Sequence, residues 1–381
     1  MNDSPEMEPA WAELVERRRS ARALPPYRIP NSAEIETALS GFVEAHSPGG
    51  KVSGLARLGS GASKEQFVFA IDDPHGDAGT KADRYVLRMD PQCPIIETDP
   101  RREFTVLNAM NGRIPAPPPI WVDDQARFFK RPALVTGFIS GVTKPKLAED
   151  RVSGMGTRLG AKVRAQLKQQ FLDILITIHG FDWRNSPLEG FSAPDRDAQQ
   201  AARWSFNFWD AIWHLDKVED RPIMSLARHW LSENLPECDE LVLTHGDFRT
   251  GNYLFDEAEG RITAVLDWEL ARIGDFHEDL AWIIMRLFGV VEDGVFRASD
   301  LYEREEFIAA YELASGRSVN RMTLRFYEIL SSWKCYIIVA ASALSVARGS
   351  HSHQDIVLTF MGAGSAMFAH DIAILMKDVA R

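Results

Sequence analysis

The chain has 381 residues, with 43 Lys and Arg against 54 Asp and Glu and a formal net charge of −11. That length suffices for two or three domains and a large buried core. The acidic balance argues against a protein that coats nucleic-acid phosphates with Lys and Arg, so no nucleic-acid partner is expected.

Cys93, Cys238 and Cys335 lie far apart, with no CxxC and no neighbouring His pair. A zinc site and a disulfide framework are both unexpected, as suits a reducing compartment. The first residues, "MNDSPEMEPAWAELVERRRSAR", are too charged for a secretory signal. The apolar run 335–347, "CYIIVAASALSVA", is too short to span a bilayer. A cytoplasmic protein with no membrane partner is expected, and its oligomeric state is left open.

Residues 1–30 read as an N-terminal extension, with "ERRR" as a solvated helix face and "RALPPYRIP" as an extended finish. Ile35, Leu39, Phe42 and Val43 then recur at helical spacing, behind Asn31 or Ser32 as a cap. From residue 52 the period becomes that of strands, in "VSGLARL", "QFVFAI" and "RYVLRM". "DPRREFTVLNAMNG" predicts a helix with Asp99 at the N-cap, Pro100 at the first position and Gly112 past the end. "IPAPPPIWV" and "ALVTGFI" add two strands. Residues 31–137 therefore form a small lobe of five strands and one helix behind the opening helix.

From 138 to 381 the pattern is largely helical. Leu167, Phe171, Ile174 and Ile178 mark a buried helix face, and most tryptophans fall in this half as expected core residues. The fold class expected is α+β and two-lobed, with a small β-rich N-lobe and a larger, mostly helical C-lobe.

Between two apolar runs of the second lobe stands "HGDFRTGN", residues 245–252. Asp247 precedes Asn252 with the spacing of the kinase catalytic loop H-R-D-x-x-x-x-N. "AVLDWE" then places Asp267 at the end of an apolar run, and two strands joined through "DEAEGR" would bring it beside Asn252. Oxygen ligands of this kind suit Mg²⁺, with phosphates and waters completing its shell. Each piece alone is a weak signal. The ordered set of His245, Asp247, Asn252, Asp267 and Asp279 is much stronger.

The block "HGDFRTGN … VLDWELARIGDFHEDLAW" resembles the aminoglycoside phosphotransferase/choline kinase family, most of all the kinase-like domains associated with acyl-CoA dehydrogenases. The resemblance extends over roughly residues 35–345. It implies a protein-kinase-like fold that uses ATP and Mg²⁺ to phosphorylate a hydroxyl of a small molecule. Asp247 would be the catalytic base or hydroxyl-orienting acid, and Asn252 and Asp267 the metal ligands. Arg249 would either neutralise the transferring phosphoryl group or form a surface ion pair. His245 and Asp279 would brace the loop and Asp275 would cap the following helix. Glu269 would reach substrate or metal.

The same resemblance places the nucleotide cover on "RLGSGASKEQFVF", through Gly59, Ser60, Gly61, Ala62 and Ser63. This is neither a Walker A loop nor a G-x-G-x-x-G fingerprint, since Lys64 stands where a third glycine would be. The phosphate-binding cation becomes Arg88, paired with Glu103, where the kinase pattern has Lys. Gly137 and Phe138, linking the lobes, would hydrogen-bond a purine. Relatives often carry an acid at position 137; its absence here leaves the choice between ATP and GTP open, with ATP the expected nucleotide.

The acceptor divides the readings. A hydroxyacyl-CoA or related metabolic alcohol could pack against Trp204, Phe206, Phe208, Trp209 and Trp213, which core packing explains equally well. Lys144, Lys146, Arg158, Lys162, Arg164 and Lys168 could meet an anionic carrier or form the wet side of a helix. Residues 191–244 hold ten acids against five bases, a balance that would suit an aminoglycoside. A kinase-fold nucleotide-binding protein without catalysis is the remaining alternative, disfavoured because Asp247, Asn252 and Asp267 are all present.

Overall fold

The computed structural model describes residues 5–21, 30–59, 64–72, 84–91, 94–146, 157–186, 188–217, 219–347, 359 and 362–379. In the small lobe, β1 (Lys51–Leu58), β2 (Glu65–Asp72), β3 (Arg84–Met89), β4 (Pro119–Asp123) and β5 (Ala133–Gly137) form one antiparallel sheet in the order β1-β2-β3-β5-β4. The period-2 residues Phe67, Phe69 and Ile71 of β2 bury against Ile35, Leu39, Phe42 and Val43 of α2 (Ser32–His46). Asn31 is the cap: its side chain accepts from the Glu34 N–H while Glu34 accepts from the Asn31 N–H.

Between β3 and β4 runs α3 (Pro100–Met110), capped by Asp99 with Pro100 in its first turn. Gly112 follows its end with a φ of 74°. This helix carries Glu103 to the underside of β3, where Arg88 lies.

The large lobe contains α4 (Gly160–His179), α5 (Gln200–Asp216), α6 (Pro222–Glu233), α7 (Phe276–Ile283), α8 (Arg304–Ser315), α9 (Arg321–Ala347) and α10 (Ser365–Val379). Three two-stranded antiparallel sheets interrupt them among the described residues: β6 (Leu241–Thr244) with β9 (Arg272–Asp275), β7 (Tyr253–Asp256) with β8 (Arg261–Val265), and β10 (Val290–Glu292) with β11 (Val295–Arg297). Leu167, Phe171, Ile174 and Ile178 are buried along α4, as their spacing predicts. Phe206, Phe208, Trp209 and Trp213 are buried in the same core, and Trp204 is buried as well, so all five are accounted for by the packing of α5. No helix among the described residues is long and apolar enough to cross a membrane.

The first helix departs from expectation. α1 (Pro9–Ala21) is no solvated extension: Trp11, Leu14 and Val15 enter the large-lobe core. Arg18 continues their stripe at helical spacing, so one arginine of "ERRR" is buried instead of wet. It is held by Glu97 at 2.7 Å and Asp216 at 2.5 Å. Arg102, beside Glu103, pairs with Glu8 and donates to the Ala271 carbonyl at 3.1 Å. A local reading of charge could not find these partners, because Glu97 and Asp216 are remote in sequence. The expected extended finish of this segment, residues 22–29, lies outside the described residues.

Candidate active site

The loop 245–252 leaves β6 and returns as β7. Gly246 has a φ of 80°, and a Cβ there would stand 2.6 Å from the Leu270 carbonyl oxygen, so the turn requires glycine. Asp279 of α7 accepts the N–H groups of His245 and Gly246, each at 2.8 Å. The same carboxylate lies 3.1 Å from His179 Nε2. Burial alone would raise its pKa, but the hydrogen bond and charge of His179, with His245, hold it below the usual carboxylate value. Asp275 caps α7 by accepting from the His277 N–H.

His245 Nδ1 accepts the Asp247 N–H at 3.2 Å, and Nε2 donates to the Leu266 carbonyl at 3.0 Å. One donor and one acceptor define a neutral imidazole, in agreement with burial lowering its pKa. His245 is thus a brace within the loop.

The Asp247 carboxylate is surrounded by donors. Oδ1 accepts from Trp282 Nε1 at 2.6 Å and from Arg249 Nε at 2.9 Å. Oδ2 accepts from Asn252 Nδ2 at 2.6 Å, and that amide also donates to the Asp247 carbonyl at 2.9 Å. The Arg249 guanidinium packs over the Phe288 ring at 4.6 Å and is mostly buried, so it is a partner of Asp247 and not a surface ion pair.

Pairing of β7 with β8 sets Asn252 beside Asp267, for the Leu266 N–H donates to the Asn252 carbonyl at 2.8 Å. Asp267 adopts the left-handed region at φ 59° and ψ 59°, at a cost on the order of 1 kcal/mol for a non-glycine residue. Arg88 bridges Glu103 and Asp267, reaching Asp267 Oδ1 at 2.6 Å. Those two carboxylates overcome burial and raise the Arg88 pKa.

Lys64, which reads in sequence only as a missing glycine, is buried behind this cluster. It pairs with Asp90 and Thr98 and lies 3.6 Å from Glu269. Burial pushes Glu269 up to about 7 against the pull of Lys64. Two cations thus face the four carboxylates of Asp90, Glu103, Asp267 and Glu269, a surplus of negative charge at one end of the cleft.

The residues fit a hard divalent cation. Among the described residues, no hydrogen bond engages Asn252 Oδ1 or Asp267 Oδ2, and Glu269 Oε2 is buried without a hydrogen-bond partner. No group of three His, Cys, Asp or Glu side chains forms a protein-only metal cage among those residues. Asn252 Oδ1 and Asp267 Oδ2 suit Mg²⁺, which takes one or two protein oxygens and completes its shell from phosphates and waters.

A cleft of about 560 Å³ opens between the lobes, walled by Val86, Arg88, Thr136, Gly137, Phe138 and Asp267, among others. The linking residues correct the sequence expectation in one respect. The Gly137 N–H is occupied by the Pro118 carbonyl at 2.8 Å and the Phe138 N–H by the Arg84 carbonyl at 2.9 Å. Strand pairing takes both donors, so neither is available to a purine. A Cβ at 137 would stand 2.7 Å from the Pro118 side chain, which accounts for the glycine here. Gly59 follows the end of β1, whereas Ser60, Gly61, Ala62 and Ser63 lie outside the described residues.

Two further residues, given no role by the sequence pattern, reach the Asp247 loop. Trp282 follows Asp279 by one helical turn. Lys334 of α9 donates to the Gly246 carbonyl at 3.1 Å and stands 3.9 Å from the Trp282 ring centre. A lysine between Trp333 and the apolar run 335–347 was the available clue.

The charge counts resolve into internal pairs. Asp197 pairs with Arg203, Asp210 with Arg228, Asp216 with Arg18 and Glu240 with Arg317. In the basic tract, Arg164 is held by Glu292 and Asp300, and Lys168 by Glu306. Lys144 and Lys146 line the cleft.

Residues 54–319 match the model of the family described as "Phosphotransferase enzyme family". Acyl-CoA dehydrogenase family member 11 of Gallus gallus is 28% identical over 310 residues, covering 78% of this chain and 37% of that protein. The chain therefore spans little more than a third of that curated relative. A Ralstonia eutropha structure provisionally named an aminoglycoside phosphotransferase superposes with a TM-score of 0.66 at 21% identity, covering 90% of this chain and 98% of the other. A ternary complex of aminoglycoside phosphotransferase APH(4)-Ia with ADP and hygromycin B gives 0.56 at 18% identity, with the same coverages of 90% and 98%. These superpositions establish the two-lobed, kinase-like α+β fold.

Proposed function

The chain belongs to the phosphotransferase enzyme family, and from that premise we propose that it transfers the γ-phosphoryl group of ATP to a hydroxyl of a small molecule. The observation that carries this reading is the Asp247 carboxylate, fixed by Trp282, Arg249 and Asn252, with Asn252 tied directly to the Asp267 hairpin. Asp247 Oδ2 has one described hydrogen bond and retains acceptor capacity for a hydroxyl proton. The acceptor oxygen attacks the γ-phosphorus, the bond to the β–γ bridging oxygen breaks to leave ADP, and the hydroxyl proton passes to Asp247.

Asn252 Oδ1 and Asp267 Oδ2 would hold Mg²⁺, which when bound neutralises charge on the phosphates. Arg249 stabilises the transferring phosphoryl group from the Asp247 side. Arg88 orients Glu103 and Asp267 at the nucleotide end. Ile139, which follows Gly137 and Phe138 in the cleft wall, takes over as the backbone donor to the purine.

The acceptor is a metabolic alcohol such as a hydroxyacyl thioester. This is supported by the likeness to acyl-CoA dehydrogenase family member 11. The cations Arg249 and Lys334 beside Asp247, with Asp197, Asp210, Asp216 and Glu240 already engaged in ion pairs, suit a polycationic aminoglycoside poorly. The test is a side-by-side assay of hydroxyacyl-CoAs, simple alcohols, choline and aminoglycosides with ATP and Mg²⁺, reading ADP and phosphorylated product. Transfer to acyl alcohols is expected. Efficient phosphorylation of an aminoglycoside alone overturns the acceptor assignment, and no ADP with any acceptor favours a non-catalytic nucleotide-binding protein.

A further inference from the structure

Lys334 occupies a place where a charge is costly. It lies on α9 between the buried residues Trp333 and Cys335, and its own side chain is almost wholly buried. A buried ammonium persists only where partners compensate its lost hydration. Its described partners are the Gly246 carbonyl at 3.1 Å and the rings of Trp282 at 3.9 Å and Trp209 at 5.2 Å. The charged or titratable groups that face it are Asp247 from the loop, Asp279 from α7, Arg272 from β9 and Cys335 from its own helix.

The placement grips one peptide from two sides. Asp279 holds the Gly246 N–H, and Lys334 holds the Gly246 carbonyl that leads into Asp247. Trp282, one turn beyond Asp279, presents Nε1 to Asp247 Oδ1 while its ring lies against the Lys334 ammonium. A neutral residue of similar length would fill this space at less cost. The charge is explained by what it orders.

We propose that Lys334 is a positioning residue for phosphoryl transfer: its ammonium fixes the Gly246 carbonyl and the Trp282 ring, and through them the direction of the Asp247 carboxylate. This inference rests on the proposed function only for its kinetic readout. Burial pushes the Lys334 amine down to about 8 against the attraction of Asp247. The unfolded chain therefore binds more protons than the folded one between about pH 8 and the ordinary lysine value, so stability contributed at this site rises with pH across that window. At neutral pH the ammonium is a net cost to the fold, and activity and stability should respond oppositely to its removal.

The experiment compares wild type with Lys334→Met and Lys334→Arg. Lys334→Met should lower kcat roughly 10- to 100-fold through misplacement of Asp247, with the KM for ATP within about twofold, as expected for a residue remote from the nucleotide. Its Tm should equal or exceed that of wild type, and amide exchange of 245–248 should quicken. Lys334→Arg should recover part of kcat. Wild-type kcat should fall as pH rises through about 8, and that limb should be absent from Lys334→Met.

A Lys334→Met protein with wild-type kcat and unchanged loop exchange overturns the inference, as does a loss of kcat in step with a lower Tm. Should Lys334→Met fail to fold, Lys334→Arg and the wild-type exchange at pH 7 and 9 decide: unchanged protection of 245–248 overturns it. Should wild type phosphorylate no acceptor, the functional proposal falls while the exchange comparison still tests Lys334.

Discussion

At Asp247 the carboxylate meets three hydrogen-bond donors set in place by neighbouring structure, whereas at Arg88 two cations share four carboxylates. The first region is neutralised within the chain and needs little rearrangement to receive a hydroxyl. The second keeps a surplus of negative charge, a strained Asp267 and a buried Glu269 oxygen that makes no hydrogen bond. One end of the cleft is preorganised by hydrogen bonds, the other completed by a cation and its phosphates. The two ends should therefore fail differently when damaged.

The largest effect should come from the brace of the organised end. Asp279→Ala would leave the His245 and Gly246 N–H groups buried without acceptors, at ~1–3 kcal/mol for each group. Chemical denaturation should show a loss of about 3 kcal/mol or more. A loss below 1 kcal/mol would mean the loop is held by something else. Because the Asp279 pKa is depressed in the fold, the stability it contributes is present above the ordinary Asp value and fades as pH falls through its lower folded value. Asp279→Asn should flatten that acid limb in denaturation curves taken below about pH 4.

Asp247→Asn should follow, with kcat lower by at least ~10²-fold, the lower range for a positioned general base. Single-turnover assays with a productive acceptor measure this, and near-wild-type turnover would remove Asp247 from the chemistry. The smallest effect should be that of Lys168→Met. Its pair with Glu306 is substantially exposed and should change stability by less than about 1 kcal/mol. Its kinetics on acyl-CoA acceptors should match wild type, and a selective rise in KM for them would restore the basic tract as a carrier site.

The same contrast governs what sequence can convey. Asp247, Asn252 and Asp267 stand in one strand-loop-strand segment, so their adjacency follows from local pairing and their spacing suffices to locate them. The capping roles of Asn31, Asp99 and Asp275 are local in the same sense. Lys64, Trp282 and Lys334 meet the site only through tertiary packing, and no periodicity announces them. The burial of Arg18 depends on Glu97 and Asp216, which folding alone brings near. Sequence position places the backbone of Gly137 and Phe138 beside a purine, but only the fold shows that Pro118 and Arg84 engage their N–H groups.

The division between the two ends is tested most directly by calorimetric titration of ATP, with and without Mg²⁺, into wild type, Asp247→Asn and Asp267→Ala. Wild type and Asp247→Asn should gain affinity when Mg²⁺ is present, and by similar amounts, because the metal end is intact in both. Asp267→Ala should lose that gain while binding metal-free ATP about as well as wild type. Retention of the full Mg²⁺ effect by Asp267→Ala, or its disappearance in Asp247→Asn, would contradict the account.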